Sequence, residues 1–374
     1  MNKINTSLVS AVLVLNSFAQ ANEKQLIDYF LPMEPQGPMV SDGIWGDDNV
    51  LPRDIKNGLE DSTLENWCYW DGSIVKSDDG RYHMYASLWS EEMSHSEGWH
   101  LGSKGMHASS DHIMGPYIDH GLVYPQWQEG KGHNVIGLRM HDGRYAVVTS
   151  EITFGEIFVS DSPDGPFELL GQIQWDANGF DEGLARYNKN GRMSNVKILL
   201  RPDGRYMCMG RSTAAMVSED GILGPYKIMS DRVYKQYPEL PQTKNEDPTI
   251  WYSAGIYHVV YNHWPTKTSH HFTSESGLGD WKYRGIAFKK GEDSIFTYTD
   301  GTVNDWQFIE RPQAYVDPET GHVTHFIFSV IDVGKGKDRG SDNHASKIVV
   351  VPFDGEAFDR DMAAILKQEK VLQP

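Results

Sequence analysis

Cysteine is nearly absent from this sequence of 374 residues. The two cysteines are Cys68 and Cys208, so a disulfide-rich scaffold is excluded and one disulfide is the maximum. The repeat described below assigns the two residues to different modules of the chain. We therefore expect two separate buried thiols rather than a disulfide.

Basic residues are also scarce. The chain has 34 Lys and Arg against 52 Asp and Glu, a formal net charge of −18. That balance argues against nucleic acid and anionic membranes as partners. A glycine-rich phosphate loop, the Cys/His spacing of zinc sites and a Gly-x-Ser-x-Gly elbow are all missing from the sequence, which argues against the chemistries that these motifs support.

Apolar runs are short throughout the chain. The longest, Leu8 to Phe18, follows the positive Lys3 and precedes Ala19-Gln20-Ala21, the small-x-small form of a signal cleavage site. We interpret residues 1–21 as a secretory signal peptide. No later run approaches the roughly 18 apolar residues of a membrane span. The sequence thus predicts export to the periplasm or the medium, without a membrane partner.

An internal repeat dominates the rest of the sequence. The phrase Asp-Gly-Arg-Tyr occurs three times and two looser copies follow, with their glycines at Gly80, Gly143, Gly204, Gly255 and Gly321. Each glycine separates two short apolar or alternating runs, which is typical of a β-hairpin. The spacings of 63, 61, 51 and 66 residues are those of propeller blades rather than of a helical solenoid.

A second phrase closes the modules. Gly-Pro-aromatic or a related triplet occurs at 115–117, 165–167, 224–226 and 279–281, where it indicates a turn into an outer fourth strand. The only segment with helical character is a short one near Phe358 to Gln368. We therefore predict an all-β chain in which residues 22–374 form a single five-bladed β-propeller. A jelly roll or a two-sheet sandwich remains open, but neither predicts five similarly spaced hairpins.

Position within the repeat indicates where chemistry could occur. A polar residue precedes each hairpin glycine by eight to eleven positions, which places it on the innermost strand at the mouth of the central channel. These residues are Asp71, Asn134, Asn195, Asp247 and Glu310. Three are acids, and converging carboxylates suit glycoside hydrolysis, which needs a proton donor and a carboxylate that activates water or attacks the sugar directly. A third carboxylate can raise the proton affinity of the donor.

Three motifs carry a family resemblance. Trp70-Asp71-Gly72-Ser73-Ile74-Val75, Asn245-Glu246-Asp247-Pro248-Thr249-Ile250 and Ile309-Glu310-Arg311-Pro312-Gln313 resemble the acid-bearing motifs of the five-bladed propeller glycosidases of glycoside hydrolase families 43 and 117. The resemblance implies that Asp71 is the general base, Asp247 the residue that tunes the acid, and Glu310 the general acid. It departs from family 43 in the middle blades, where Asn134 and Asn195 stand in place of the usual Asp.

Other residues are candidates for contacts to a sugar. Aromatic faces stack on the C–H faces of sugars, and five tryptophans flank the inner strands or their loops: Trp70, Trp89, Trp127, Trp264 and Trp306. We expect about two of them to contact a ligand. The predicted substrate-binding set is Trp70, Asn134, Asn195, His263, Trp264 and Arg311. Glu151 and Glu182 are reserve candidates for the acid.

No cofactor is expected to be required. His133 and His263 stand beside inner-strand positions and could hold an axial cation or a water molecule. A histidine that is hydrogen-bonded within the channel wall is the structural alternative for both.

The resulting hypothesis is an exo-acting, inverting glycoside hydrolase of oligosaccharides. Algal galactan oligosaccharides that end in 3,6-anhydrogalactose are the first substrate class that the resemblance implies. Plant oligosaccharides containing arabinose or xylose are the second. Two other classes of protein stay open: a sugar-binding propeller without catalysis, and a polysaccharide lyase that uses His or Tyr as its base.

Overall fold

A computed structural model describes residues 24–186, 191–291 and 293–372. The predicted signal peptide at 1–21 lies outside these residues. The described chain consists mainly of short antiparallel strands in five separate sheets. In this part of the chain, no helix has the length and apolar character needed to cross a membrane.

The first three sheets follow the chain in order. Blade one contains β1 (Trp67–Lys76), β2 (Tyr82–Ser90), β3 (Lys104–Ser110) and β4 (Ile118–Leu122). Blade two contains β5 (His133–Arg139), β6 (Tyr145–Ser150), β7 (Glu156–Ser160) and β8 (Glu168–Gln172). Blade three contains β10 (Lys197–Leu200), β11 (Tyr206–Met209), β12 (Ala214–Ser218) and β13 (Tyr226–Arg232), and the short β9 (Trp175–Asp176) pairs in parallel with β13.

Two further sheets complete the ring. Blade four contains β14 (Asn245–Ser253), β15 (Ile256–His263), β16 (Thr268–Ser274) and β17 (Lys282–Lys289). Blade five contains β18 (Phe308–Val316), β19 (Val323–Ile331) and β20 (Ser346–Pro352). The innermost strand of each blade contacts the innermost strands of its two neighbours, and β18 returns to β1. This arrangement confirms the five-bladed β-propeller.

Helical structure is minor. A carboxy-terminal helix, α1 (Gly355–Leu372), includes the predicted helical segment. The remaining turns are 3₁₀ turns at Leu26–Tyr29, Asp48–Val50, Gln128–Gly130 and Glu182–Leu184, an α-helical turn at His95–Glu97 and a π-helical turn at Gly98–Gly102.

Blade five departs from the predicted four strands. After β20 the chain enters α1, so the sheet has no fourth strand of its own. The outer edge of β20 is instead covered by the segment that precedes β1: Leu59 and Ile348 exchange two backbone hydrogen bonds of 3.0 Å. An uncovered strand edge can pair with other chains. The segment before β1 covers this edge and links blade five to blade one.

The repeated phrases occupy their predicted places. All five hairpin glycines lie between the first two strands of a blade with φ between 73° and 89°, the left-handed region that glycine adopts without strain. The Gly-Pro-aromatic triplets lie directly before the outer strands of blades one to three. The core lies between neighbouring blades, as where Val75 and Tyr85 of blade one pack on Val135 and Val147 of blade two. Cys68 and Cys208 are both free and buried, as expected.

Each blade has a left-handed non-glycine residue at an equivalent point, in the inner strand or, in blade three, two residues before it. Those residues are Asp71 (φ 69°), Asn134 (53°), Asn195 (54°), Asp247 (55°) and Arg311 (55°). In blades one, two, four and five the strand pairing shifts register there, which identifies a β-bulge.

The equivalent residue of blade five is thus Arg311, and the equivalence predicted for Glu310 is wrong by one position. The β18–β19 hairpin has a second irregularity between Tyr315 and Val316. That irregularity changes the spacing between the bulge and the turn, so counting back from Gly321 misses the bulge.

Candidate active site

A cavity of about 280 Å³ opens at the end of the channel where these five left-handed residues lie. Its wall draws on all five blades and their loops: Trp70, His95, Trp99, His133, Asn134, Glu151, Asn195, Arg211, Glu246, Asp247, Trp264, Glu310, Arg311 and Lys335. Seven of the nine predicted site residues belong to this wall. Asp71 and His263 are the two that do not.

A buried ion triad forms the floor of the cavity. Arg311 Nε lies 2.7 Å from Asp71 Oδ1, and Arg311 Nη1 lies 2.9 Å from Asp247 Oδ1. The side chains of all three residues are at most 2% exposed. Burial raises the pKa of each carboxyl, but the Arg311 guanidinium outweighs it and holds the pKa of both Asp71 and Asp247 below the usual value.

Asp71 lies in this floor beneath the cavity wall. Its Oδ2 accepts a hydrogen bond of 3.1 Å from the backbone N–H of Val135 and another from the Ser87 hydroxyl. His133 Nδ1 is 3.9 Å from the same oxygen. The carboxylate is therefore ionised and fixed in orientation, with cavity-lining His133 and Arg311 beside it.

Two glutamates project into the cavity from the position just before a bulge. Glu246 precedes Asp247 in blade four as Glu310 precedes Arg311 in blade five. Oxygens of Glu246, Asp247 and Glu310 lie within 4.8 Å of one another. Each carboxylate has its own cationic partner: Glu246 is 2.7 Å from Arg211 Nη2, and Glu310 is 2.5 Å from Lys335 Nζ.

The pKa values of both glutamates are raised. Burial, followed by the charges of Asp247 and Glu310, raises the pKa of Glu246 to about 8. Burial also raises the pKa of Glu310, although the Lys335 ammonium opposes this shift. Because close carboxylates cannot all be ionised cheaply, this cluster retains a proton at neutral pH.

Indole rings frame the cavity. Trp70, Trp99 and Trp264 line it, and Lys335 Nζ lies 5.0 Å from the centre of the Trp70 ring. Trp264 is 38% exposed, so its face is available to a ligand. Trp89 and Trp306 are core residues, and Trp127 packs on Phe158. Two of the five candidate tryptophans, Trp70 and Trp264, therefore line the cavity, and their contact with a ligand stays a prediction.

The two histidine candidates occupy different surroundings. His133 lines the cavity, and burial lowers its pKa to about 4, so its imidazole is neutral at pH 7. His263 belongs instead to a small adjoining cavity, and its Nδ1 lies 2.8 Å from Thr266 Oγ1. Among the described residues, the two sets that bring metal-ligand atoms together contain neither histidine: His83, His107 and Asp164, and Glu246, Asp247 and Glu310. A cation near His133 or His263 stays a prediction.

Sequence reasoning missed several residues of the wall. The missed residues are His95, Trp99, Arg211, Glu246 and Lys335. Glu246 had a signal, because it stands next to Asp247 within a quoted motif. The other four lie in loops between strands, outside the repeated phrases, and no sequence pattern pointed to them. Of the reserve acids, Glu151 lines the cavity, whereas Glu182 is not part of its wall.

Comparison with known proteins supports the fold. Neither a protein-family model nor a curated protein matches the sequence, but the fold is similar to that of many solved structures. One described as a glycoside hydrolase has a TM-score of 0.54 at 15% identity over 78% of this chain, which spans only 62% of that protein.

Two other structures match over more of their own length. A family 117 glycoside hydrolase produced by the marine bacterium Zobellia galactanivorans has a TM-score of 0.54 at 13% identity, covering 80% of this chain and 88% of its own. A family 43 β-xylosidase/α-arabinofuranosidase from a compost metagenome, in complex with xylotriose, has a TM-score of 0.52 at 16% identity, covering 80% and 95%. The chain therefore has the five-bladed propeller fold of family 43 and family 117 glycoside hydrolases, as the motif resemblance implied.

Proposed function

We propose that the protein is a glycoside hydrolase whose active site is the cavity at the channel end. The observation that carries the proposal is the convergence of the Glu246, Asp247 and Glu310 carboxyl groups, with oxygens within 4.8 Å of one another, inside a cavity framed by indole rings. Acetal hydrolysis needs that combination of a proton donor, an ionised carboxylate and a sugar-stacking surface. The propeller fold shared with glycoside hydrolases agrees with it.

Glu246 is the proton donor in this proposal, in place of Glu310. A donor must be protonated at working pH, and the raised pKa of Glu246 meets that requirement. Burial raises the pKa of Glu310 as well, but its ion pair with Lys335 opposes that rise. Its negative charge then helps to keep the proton on Glu246, the role that the motif resemblance gave to Asp247 alone.

Asp71 remains the proposed base, because it is ionised and lies on blade one, away from the blade-four donor. In the reaction, Glu246 gives its proton to the glycosidic oxygen and the C1–O bond breaks, its electron pair going to that oxygen. Water adds to C1 from the opposite face and loses a proton to the carboxylate, with inversion. Glu151, which lines the cavity from the blade-two side, is the competing base.

The proposed substrates are short oligosaccharides attacked from a chain end. Galactan oligosaccharides that end in 3,6-anhydrogalactose are the first choice, and arabinose- or xylose-containing oligosaccharides the second. The motif resemblance supports this order. The two well-covered structural neighbours are a family 117 hydrolase from a marine bacterium and a xylosidase/arabinofuranosidase, so marine and plant oligosaccharides are the first to test.

A panel of defined marine and plant oligosaccharides tests the proposal. The protein should release a saturated sugar from at least one of them, as measured by product mass. Glu246→Gln should abolish release, and Glu65→Gln, which removes an exposed carboxylate, should not. Binding without release by the wild-type protein would favour a sugar-binding propeller. An unsaturated product that absorbs in the ultraviolet would establish a lyase.

A further inference from the structure

A second cavity of about 450 Å³ adjoins the candidate active site. The two cavities share Arg211 and Trp264 in their walls. Lys244 in the second cavity is only two residues from Glu246 in the first. A bound oligosaccharide can therefore extend from one cavity into the other past the exposed Trp264 ring.

The charge of this second cavity is opposite to that of the chain. Its charged wall residues, among those that the structure describes, are Arg211, Arg232 and Lys244, without a carboxylate. The remaining wall is formed by Gly183, Ser212, Tyr234, Gln242, Thr243, Asn245 and Trp264. In a chain with 52 acidic and 34 basic residues, three cations around one cavity indicate a local preference for an anion.

The three cations differ in their ion-pair partners. Arg211 pairs with Glu246 at 2.7 Å, and Arg232 Nη1 lies 3.4 Å from Asp231 Oδ1, which is not part of the wall. Lys244 has no ion-pair partner in the described part of the chain, and its ammonium lies 5.0 Å from the centre of the Trp264 ring. Its φ of 63° is a costly conformation for a lysine, of the kind that concentrates at ligand sites.

We propose that this cavity is a subsite for a sugar residue that carries an anionic group, either a sulfate ester or a carboxylate. The anion would pair with Lys244 and Arg232 while the sugar ring lies against Trp264. The inference rests on the proposed function, since the subsite would bind the residue next to the glycosidic bond that is cleaved. It makes the preferred substrate an acidic oligosaccharide.

Calorimetric binding tests the subsite without requiring turnover. The probes are a sulfated galactan tetrasaccharide, its chemically desulfated counterpart and tetragalacturonate, in which carboxylates replace the sulfates. The wild-type protein should bind an anionic probe at least about tenfold more tightly than the neutral one, and added salt should weaken only the anionic binding. Lys244→Gln combined with Arg232→Gln should remove this preference. Lys227→Gln, which removes an exposed charge from β13, should leave it intact.

The outcomes distinguish failure of the proposed subsite from failure of the proposed hydrolase activity. Equal affinity for the three probes, or no binding of the anionic ones, would overturn the subsite, as would loss of the preference in Lys227→Gln. Tighter sulfate binding would identify a sulfated substrate and tighter carboxylate binding a uronate, and either supports the inference. An intact anion preference without hydrolysis of any probe supports the subsite and counts against the proposed hydrolase activity instead.

Discussion

Single residues one position apart have different roles in this site. The bulge residues Asp71, Asp247 and Arg311 form the ion triad of the floor, and Asp247 and Arg311 also line the cavity. The residues just before two of those bulges, Glu246 and Glu310, enter the cavity wall. Spacing within the repeat could locate the bulges to within one residue. It could not assign side chains to floor or wall, because that depends on the register shift at each bulge.

Substitution of the two glutamates distinguishes the proton donor from the carboxylate that raises the pKa of the donor. Glu246→Gln should lower turnover of a natural oligosaccharide by about 10²–10⁴, because a glutamine cannot supply a proton. An aryl glycoside whose leaving group needs no proton should restore much of that loss. Glu310→Gln should lower turnover less and move the alkaline limb of the wild-type rate profile, near the Glu246 pKa of about 8, to lower pH. Rescue of Glu310→Gln but not of Glu246→Gln would reverse the assignment.

The base is tested by a matched pair of variants. Asp71→Asn should abolish turnover of both natural and aryl substrates, because water then lacks its proton acceptor. Glu151→Gln should retain most activity. If Asp71→Asn stays active and Glu151→Gln does not, the base is the residue in the cavity wall, and Asp71 only positions Arg311.

At the scale of strands, two blades carry the same buried histidine pair. His83 of β2 and His107 of β3 lie 2.9 Å apart, and His258 of β15 and His271 of β16 lie 3.0 Å apart. Ser77 and Ser253 lie against the first histidine of each pair. The pairs occupy equivalent register positions, so they are a structural element of the repeat rather than a feature of the active site.

These pairs make the stability of the blades dependent on pH. Burial lowers the pKa of His258 from 6.5 to about 3, so its contribution to stability is full above pH 6.5 and is lost as the pH falls toward 3. When the pH falls from 7.5 to 5.0, the unfolding free energy of the wild-type protein should decrease by about 2 kcal/mol more than that of His258→Asn. The measurement is denaturant unfolding at both pH values. The exposed His112→Asn should match the wild type, and an unchanged pH dependence in His258→Asn would show that His258 is not buried neutral.

Strand prediction from the sequence succeeded where the repeat is regular. The hairpins around Gly80, Gly143 and Gly204 and the turns before the outer strands follow from short-range turn chemistry, which the sequence states directly. The three-stranded fifth blade does not follow from short-range turn chemistry. Its edge is covered by Leu59, a residue almost 300 positions before its partner Ile348, and no local pattern encodes that contact.

For the whole molecule, the ring of blades explains how an acidic chain builds a partly cationic site. Strand β18 places Arg311, and loops of blades three and five place Arg211 and Lys335, at one end of the channel, while most of the surplus acidic residues lie elsewhere. Composition argued against nucleic acid and anionic membranes as partners. It could not predict the local charge of a cavity, which depends on which loops the ring brings together.

The central claim is that this cavity adds water across a glycosidic bond, and product analysis in water labelled with ¹⁸O tests it most directly. The substrate is the oligosaccharide that the panel identifies, beginning with galactan oligosaccharides that end in 3,6-anhydrogalactose. Hydrolysis predicts a saturated product with one ¹⁸O at the new anomeric carbon, formed by the wild-type protein and absent with Glu246→Gln. An unsaturated product without the label, or labelled product formed equally by Glu246→Gln, would contradict the account.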